Sequence, residues 1–332
     1  IERIEKIGPR VEMGKIPTIE VKKKEGVPSI ALISTGGTIG THVDYKTGGV
    51  YMYRTPEEII ATAPELMKHV NIRSIQSPFT IASEDMNYTH WQKLAKIVAK
   101  ELNGGAEGVI ITHGTDSLHY TAAALSFMLK DLCKPVALVG AQRSPDRSSF
   151  DGAMNLICGA HYCTADIAEV ATVMHATTND DYCFAIRGTK VRKMHSSRRD
   201  AFKAINEKPL AKIYPDSRVE KMNENFRKRG ENIVRAETDF EPRVVIVKAY
   251  PNSDPSIIDH YVQKKFKGIV IEGMGLGHVP TGKSGTRAGT LARKLSWLTH
   301  IERAVKKGVV VCITSQCIYG RTNAFVYRNL RL

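Results

Sequence analysis

At 332 residues with 42% hydrophobic side chains, the chain can fill the cores of two globular α/β domains, and its composition excludes a disordered or fibrous protein. Lys and Arg outnumber Asp and Glu by 48 to 34, and 48 − 34 = +14 points to an acidic partner such as nucleic acid, or else to dispersed, solvated lysines. No apolar run reaches bilayer-spanning length and no secretory leader is legible, so a cytoplasmic protein with no membrane role is expected.

In chain order, "SIALIS" (Ser29 to Ser34) reads as a strand running into the glycine-rich "TGGTIG" (Thr35 to Gly40). "GVIITHG" (Gly108 to Gly114) is a second strand, followed by a helix over "TDSLHYTAAALSFMLK". "PVALVG" (Pro135 to Gly140) is a third strand, and "SSFDGAMNLICGAHYC" a helix opening on Ser148 or Ser149. Strand, loop and helix in repeated succession predict a mostly parallel sheet with flanking helices. "IRGTKVRKMHSSRRDAF" (Ile186 to Phe202) is polar and hairpin-like, and the charged stretch Tyr214 to Pro242 predicts a domain linker. A smaller α/β unit follows, with strands over Arg243 to Tyr250, Gly268 to Gly273 and Gly308 to Ser315 and helices near Ser256 to Lys265 and Thr286 to Lys307.

The six cysteines, Cys133, Cys158, Cys163, Cys183, Cys312 and Cys317, form no C-x-x-C pair and read as small buried hydrophobes in a reducing compartment. His42, His113, His119 and His195 fall into no ligand pattern, so no metal is expected.

In a parallel sheet the loops beyond the carboxyl ends of the strands carry the chemistry. "TGGTIG" fails as a phosphate loop: a P-loop needs G-x-x-x-x-G-K-[ST] and a dinucleotide loop G-x-G-x-x-G, whereas Gly36 and Gly37 are adjacent and Lys46 lies too far on. It suits a nucleophile loop better. Gly36 and Gly37 allow close approach of a small substrate, and Thr38 presents the hydroxyl. A threonine hydroxyl attacks only when something removes its proton, so partners are required. "GTDS" offers Thr115 as relay and Asp116 as carboxylate, or it is merely an N-cap of the following helix. Lys193, beside Arg192, is a candidate base, or part of a solvated basic turn.

"TGGTIG", "HGTDS" and "GTKVRKMHSSRRDAF" in this order, with "IASEDMNYTHW", "GAQR" and the late "SQC", resemble the bacterial-type (type I) asparaginase family over nearly the whole chain from about Pro28. The resemblance implies a two-domain asparaginase-like α/β fold: residues 27–225 as the N-terminal catalytic domain and 226–332 as the C-terminal domain, ending short of the family's last helical segment. Within the family, "KMHSSRRDAFKAINEKPLAKI", "GMGLGHVP" and "SQCIYGRTN" are most similar to the branch that serves as the amidase component of archaeal tRNA-dependent amidotransferases. The leading "IERIEKIGPR" resembles the end of that branch's β-barrel domain, so residues 1–26 are expected to be its tail and a linker, in a chain that opens on Ile1 as a fragment or processed form.

By motif, the resemblance makes Thr38 the nucleophile and Tyr45 a lid hydroxyl that orients it. Thr115, Asp116 and Lys193 become the second triad, with Lys193 the proton acceptor, Thr115 a relay or alternate nucleophile, and Asp116 holding the lysine and the substrate's α-ammonium. Gly37, Ser83, Glu84 and Gly114 become substrate-binding, with Glu84 standing where free-standing asparaginases commonly have glutamine. The activity implied is hydrolysis of glutamine or asparagine to ammonia. The resemblance further implies that the chain itself needs no cofactor, and that ATP and Mg are used by an E-type partner subunit, which converts Glu-tRNA(Gln) to Gln-tRNA(Gln), around a homodimer core. Arg198, Arg199 and Lys203 are cations that could face the RNA or that partner. The alternative is a free-standing cytosolic asparaginase using the same residues.

Overall fold

The apolar run Ser29–Ser34 forms strand β1, in which Ile30, Ala31, Leu32 and Ile33 are all fully buried. Burial of consecutive side chains is what a parallel strand covered on both faces requires, and it explains why the sequence shows a continuous rather than alternating apolar pattern. Ile30 and Leu32 enter one core with Ile110, Val139, Tyr162 and Val173. Ala31 and Ile33 enter the other, with Val109, Ile111, Leu94, Val98 and Leu125.

The computed structural model describes residues 24–43, 50–52, 55–282 and 294–331. After β1 come β2 (Thr41–Val43), β3 (Val50–Met52), α1 (Pro56–Ala61), α2 (Leu66–His69), β4 (Asn71–Gln76), α3 (Tyr88–Asn103), β5 (Val109–Thr112) and α4 (Leu118–Met128). Then follow β6 (Leu129–Lys130), β7 (Val136–Val139), α5 (Gly152–Thr164), β8 (Val170–His175), β9 (Cys183–Arg187), β10 (Val191–Lys193), β11 (Phe202–Ala204), β12 (Ala211–Ile213), β13 (Val219–Lys221) and β14 (Arg235–Ala236). Eight of these strands make one sheet in the order β13-β12-β9-β8-β7-β5-β1-β4. Pairing is parallel from β4 to β8 and antiparallel from β8 to β13. From β1 the chain crosses to β4 on one side and returns to β5 on the other. That reversal opens the crevice beyond the carboxyl ends of β1 and β5 where a ligand sits in such sheets.

The segment expected to be a linker is packed. Arg229 donates to the carbonyls of Cys163, Ala165 and Glu107, and Val234 is buried against α3 with its amide and carbonyl both bonded to the Asn103 side chain at 2.9 Å. The chain divides into two compact units between Thr238 and Asp239. Two helix ends also shift. Ser149 has φ 65°, outside helical space, and the helix opens instead at Asp151, whose carboxylate accepts from the amides of Gln142 and Arg143. The helix expected over 115–130 spans Leu118–Met128, because Leu129–Lys130 leaves it to pair with β14.

The second unit holds β15 (Val244–Lys248), α6 (Ser256–Gln263), β16 (Gly268–Gly273), α7 (Leu298–Lys306) and β17 (Val310–Ser315), its strands parallel in the order β15-β16-β17. Val247, Ile269 and Ile271 pack against Ile258, Trp297 and Ala304. The expected single helix over 286–307 is broken where it is described. Ser296 and Trp297 are held by Thr281 and Pro280 carbonyls at 2.8 Å, and α7 starts only at Leu298. Cys133, Cys158, Cys163 and Cys183 are buried as expected, whereas Cys312 and Cys317 are exposed. Among the described residues no helix is long and apolar enough to cross a membrane.

Candidate active site

Three loops meet beyond β1 and β5. The Thr35 amide and hydroxyl both donate to the Thr112 carbonyl, at 3.1 and 2.9 Å, and the Ile81 amide donates to Thr35 O at 3.1 Å. These bonds tie the "TGGTIG" loop to β5 on one side and to the segment before Ser83 on the other. Gly36 and Gly37 then run at φ 103° and 83°, the left-handed region glycine occupies freely. A methyl on Gly37 would lie 2.4 Å from Gly114 N and Cα, and one on Gly114 would lie 2.6 Å from Ser83 Cβ. Three sequence-predicted substrate residues, Gly37, Gly114 and Ser83, are thus in direct contact, and the absence of side chains at two of them is what lets the loops close.

Thr38 follows Gly37 and opens a single turn of 3-10 helix, half-buried, with its carbonyl accepting from the Thr41 hydroxyl at 2.7 Å. Thr115 follows Gly114 and is buried. The contact of the two glycines therefore brings the Thr38 and Thr115 segments together. Glu84 stands exposed beside buried Ser83. Tyr45 lies outside the described residues.

Lys193 ends β10, which pairs with β11 as an antiparallel hairpin, Lys193 opposite Phe202. Phe202 and Ala201 are buried and root that hairpin in the core on the α4 side of the sheet. Lys193 Nζ donates to Thr115 Oγ1 and to Asp116 Oδ1, each at 2.8 Å. The Lys193 side chain is 10% exposed and that of Asp116 67%. An ion pair with one partner so exposed adds little stability, so its importance is positional. The N-cap alternative for "GTDS" does not hold. Ser117 is the N-cap residue of α4, its hydroxyl donates instead to Ser83 O at 2.5 Å, and the Thr115 and Asp116 side chains turn to the lysine.

Behind the loop runs a relay that sequence reasoning missed. Trp91 Nε1 donates to Thr121 Oγ1 at 2.9 Å, that hydroxyl lies 2.8 Å from His113 Nε2, and His113 Nδ1 lies 2.7 Å from Gly114 O. Trp91 can only donate and a carbonyl can only accept, so Thr121 donates to Nε2 and the proton of neutral His113 sits on Nδ1, fixing the Gly114 peptide. Full burial pushes the His113 pKa down to about 4, against the opposing Gly114 bond. Burial likewise takes His119 to about 4, helped by the charges of Arg192 and Lys193. The only sequence signal was a histidine directly before "GTDS". Arg198, Arg199 and Lys203 are not free cations: Arg198 and Lys203 both pair with Asp200, and Arg199 with Asp180.

A cavity of about 500 Å³ bordered by Ser126, Phe127, Glu169 and Arg187 lies at the far end of α4 from Thr115. Arg187 is already paired with Glu169 and Glu207, and the Ser126 hydroxyl is bonded to Ala122 O at 2.7 Å. Convergent chemistry, rather than volume, marks the site.

Comparison with known proteins gives the family and the fold. The family profile "Asparaginase, N-terminal" matches residues 29–226, and "Glutaminase/Asparaginase C-terminal domain" matches 243–331. The chain is 51% identical over 307 residues to the D subunit of glutamyl-tRNA(Gln) amidotransferase from Pyrococcus abyssi, covering 92% of this chain and 67% of that one. It is 49% identical over 328 residues to the corresponding D subunit from Thermococcus kodakarensis, covering 98% and 71%. Among solved structures, the thermostable L-asparaginase from Thermococcus kodakarensis superposes with a TM-score of 0.77 at 23% identity, over 91% of this chain and 84% of that one, a likeness of fold. The probable cytoplasmic L-asparaginase from Campylobacter jejuni gives 0.72 at 27% identity, over 89% and 86%.

Proposed function

The chain belongs to the asparaginase family, and on that premise we propose that it is the glutamine-hydrolysing subunit of a tRNA-dependent amidotransferase. The observation that carries the reading is Lys193 Nζ at 2.8 Å from both Thr115 Oγ1 and Asp116 Oδ1, beside the junction of Gly37 and Gly114. In this mechanism the Thr38 hydroxyl attacks the side-chain carboxamide carbon of glutamine, and its proton passes through Thr115 to Lys193, which takes part in this step as the neutral amine and becomes the ammonium that pairs with Asp116. Backbone amides of the glycine loops stabilise the tetrahedral oxyanion. The proton then goes to the departing nitrogen, ammonia leaves, and water attacks the threonyl ester to release glutamate. Asp116 holds Lys193 and takes the substrate's α-ammonium, the Ser83 hydroxyl receives its carboxylate with Glu84 contributing there only through its backbone amide, and Tyr45 orients Thr38.

The ammonia passes to an E-type partner subunit, which uses ATP and Mg to amidate glutamate on tRNA(Gln), in the cytoplasm and around a homodimer core. This chain's own chemistry then needs no cofactor. Charge supports an RNA-bearing assembly. Asp239–Leu332 holds 15 Lys and Arg against 6 Asp and Glu, 15 − 6 = +9 of the chain's +14.

The test is ammonia release from glutamine by the chain with and without the partner subunit, charged tRNA(Gln) and ATP. Release that rises with the complete assembly, and is abolished by Thr38→Ala and by Lys193→Ala, is expected. Full turnover by the chain alone, indifferent to the assembly, would instead identify a free-standing asparaginase.

A further inference from the structure

We propose that Arg199 is a positioning residue: it pins the tip of the β10–β11 hairpin to the loop between β8 and β9, and so holds Lys193 in register with Thr115 and Asp116. A two-stranded hairpin is marginal by itself, and this one leaves the main sheet to deliver its lysine. Its base is rooted by Val191, Ala201 and Phe202. Beyond Lys193 the tip is closed by Met194 N donating to Ala201 O at 2.7 Å; Lys203 Nζ bridges Asp200 Oδ2 at 2.8 Å to Ala176 O at 3.4 Å, and the tip's own side chain bonded to the β8–β9 loop is Arg199.

The Arg199 side chain is 13% exposed. Its Nη1 donates to Thr178 O at 3.0 Å, and its Nη2 donates to His175 Nε2 at 2.8 Å and pairs with the Asp180 carboxylate. Asp180 Oδ1 lies 3.0 Å from the same histidine nitrogen, so the guanidinium is the donor both acceptors share. A guanidinium donating to Nε2 leaves the imidazole proton on Nδ1, which donates to Asn155 Oδ1 at 2.6 Å. Asn155 Nδ2 in turn donates to Gly140 O at 2.9 Å.

The chain of bonds ends under the other half of the site. A methyl on Gly140 would lie 2.8 Å from His113 O and 3.0 Å from Thr115 Cγ2, so Gly140 is the floor on which Thr115 rests. The loop that carries Thr115 and the hairpin that carries Lys193 are thus referenced to one buried rail, Gly140–Asn155–His175–Arg199. The 2.8 Å contact between Thr115 and Lys193 is its output. Planarity and several donors suit Arg199 to this, because three acceptors on two segments are met by one rigid group.

The inference rests on the amidase reading for its kinetic readout but not for its structural one. In the intact protein assembled with its partner subunit, Arg199→Ala is expected to lower kcat for glutamine hydrolysis by about 100-fold, the effect of a displacement of roughly 1 Å. KM should stay within a factor of about three, because the groups at Gly37, Ser83 and Glu84 are untouched. Arg199→Lys, with one donor group where three acceptors wait, should fall between, and Asp180→Asn should reproduce the loss in part should Arg199→Ala fold poorly. Independently of turnover, acylation of Lys193 by an amine-reactive reagent, mapped by peptide mass spectrometry, should rise in the variants toward that of exposed Lys190. Unchanged kcat together with unchanged Lys193 labelling overturns the pin, as does a lower Tm with neither readout moved, which would leave Arg199 a plain brace. If the wild type released no ammonia, the amidase reading would fall while the labelling still decided the pin.

Discussion

Replacing His113 with asparagine isolates the energetic cost of burying a neutral histidine behind the "GTDS" loop. Folding holds His113 at about 4 against an ordinary value of 6.5, chiefly by burial. The sign follows from proton binding. Above pH 6.5 the imidazole is neutral in both states and contributes no slope. Between pH 6.5 and 4 the unfolded chain takes up a proton that the folded chain refuses, so stability falls with acidification. Over those 2.5 units, at about 1.4 kcal/mol per unit, the loss is about 3 kcal/mol, complete below the folded value. Asparagine does not titrate, and its amide can still donate to Gly114 O. His113→Asn should therefore be less stable at pH 7.5 through the lost Thr121 bond, with a gap to wild type that closes by about 2 to 3 kcal/mol on going to pH 4. The assay is urea unfolding followed by the fluorescence of Trp91, which ends the same relay, in a Trp297→Phe background so that the first unit alone is read. A gap that stays constant from pH 7.5 to 4 would refute the buried neutral histidine.

Two further outcomes test the loops and the charged surface. Gly37→Ala should abolish turnover and cost several kcal/mol, because a methyl 2.4 Å from Gly114 backbone meets atoms that cannot yield, while Gly26→Ala, at φ 74° with nothing within 4 Å, should cost only the left-handed strain of about 1 kcal/mol; equal costs in thermal denaturation would contradict the close approach. Exposed Lys264, Lys265, Lys267 and Lys307 follow the ends of α6 and α7 where β16 and β17 begin, and replacing all four by alanine should flatten the salt dependence of tRNA binding, log K against log salt, by about 3 while glutamine hydrolysis is unchanged; an unaltered slope would remove these lysines from the RNA path.

Much of the frame was legible because parallel strands buried on both faces write themselves as unbroken apolar runs. Ser29–Ser34, Val109–Thr112 and Val136–Val139 could hardly be read otherwise. Adjacent Gly36 and Gly37 fit no phosphate motif, and the close backbone approach they were expected to allow is made to Gly114. What pattern could not supply was distance through space. Lys193 and Asp116 are 77 residues apart, and composition made the lysine as good a solvated turn as a base. Arg199 looked like surface charge because a buried guanidinium and an exposed one have the same letter, and only the fold brings Thr178, Asp180 and His175 around it. The segment over 214–242 read as a linker for the same reason: its order comes from Arg229 and Val234 reaching partners on α3, α5 and the start of β5, not from any local periodicity.

The most direct measurement is to quench the protein with acid during steady-state glutamine turnover and map any covalent adduct by mass spectrometry. The mechanism predicts one glutamyl group esterified to Thr38, absent in Thr38→Ala and failing to form in Lys193→Ala. An adduct on Thr115 in the wild type, or turnover in Thr38→Ala at the wild-type rate, would contradict it.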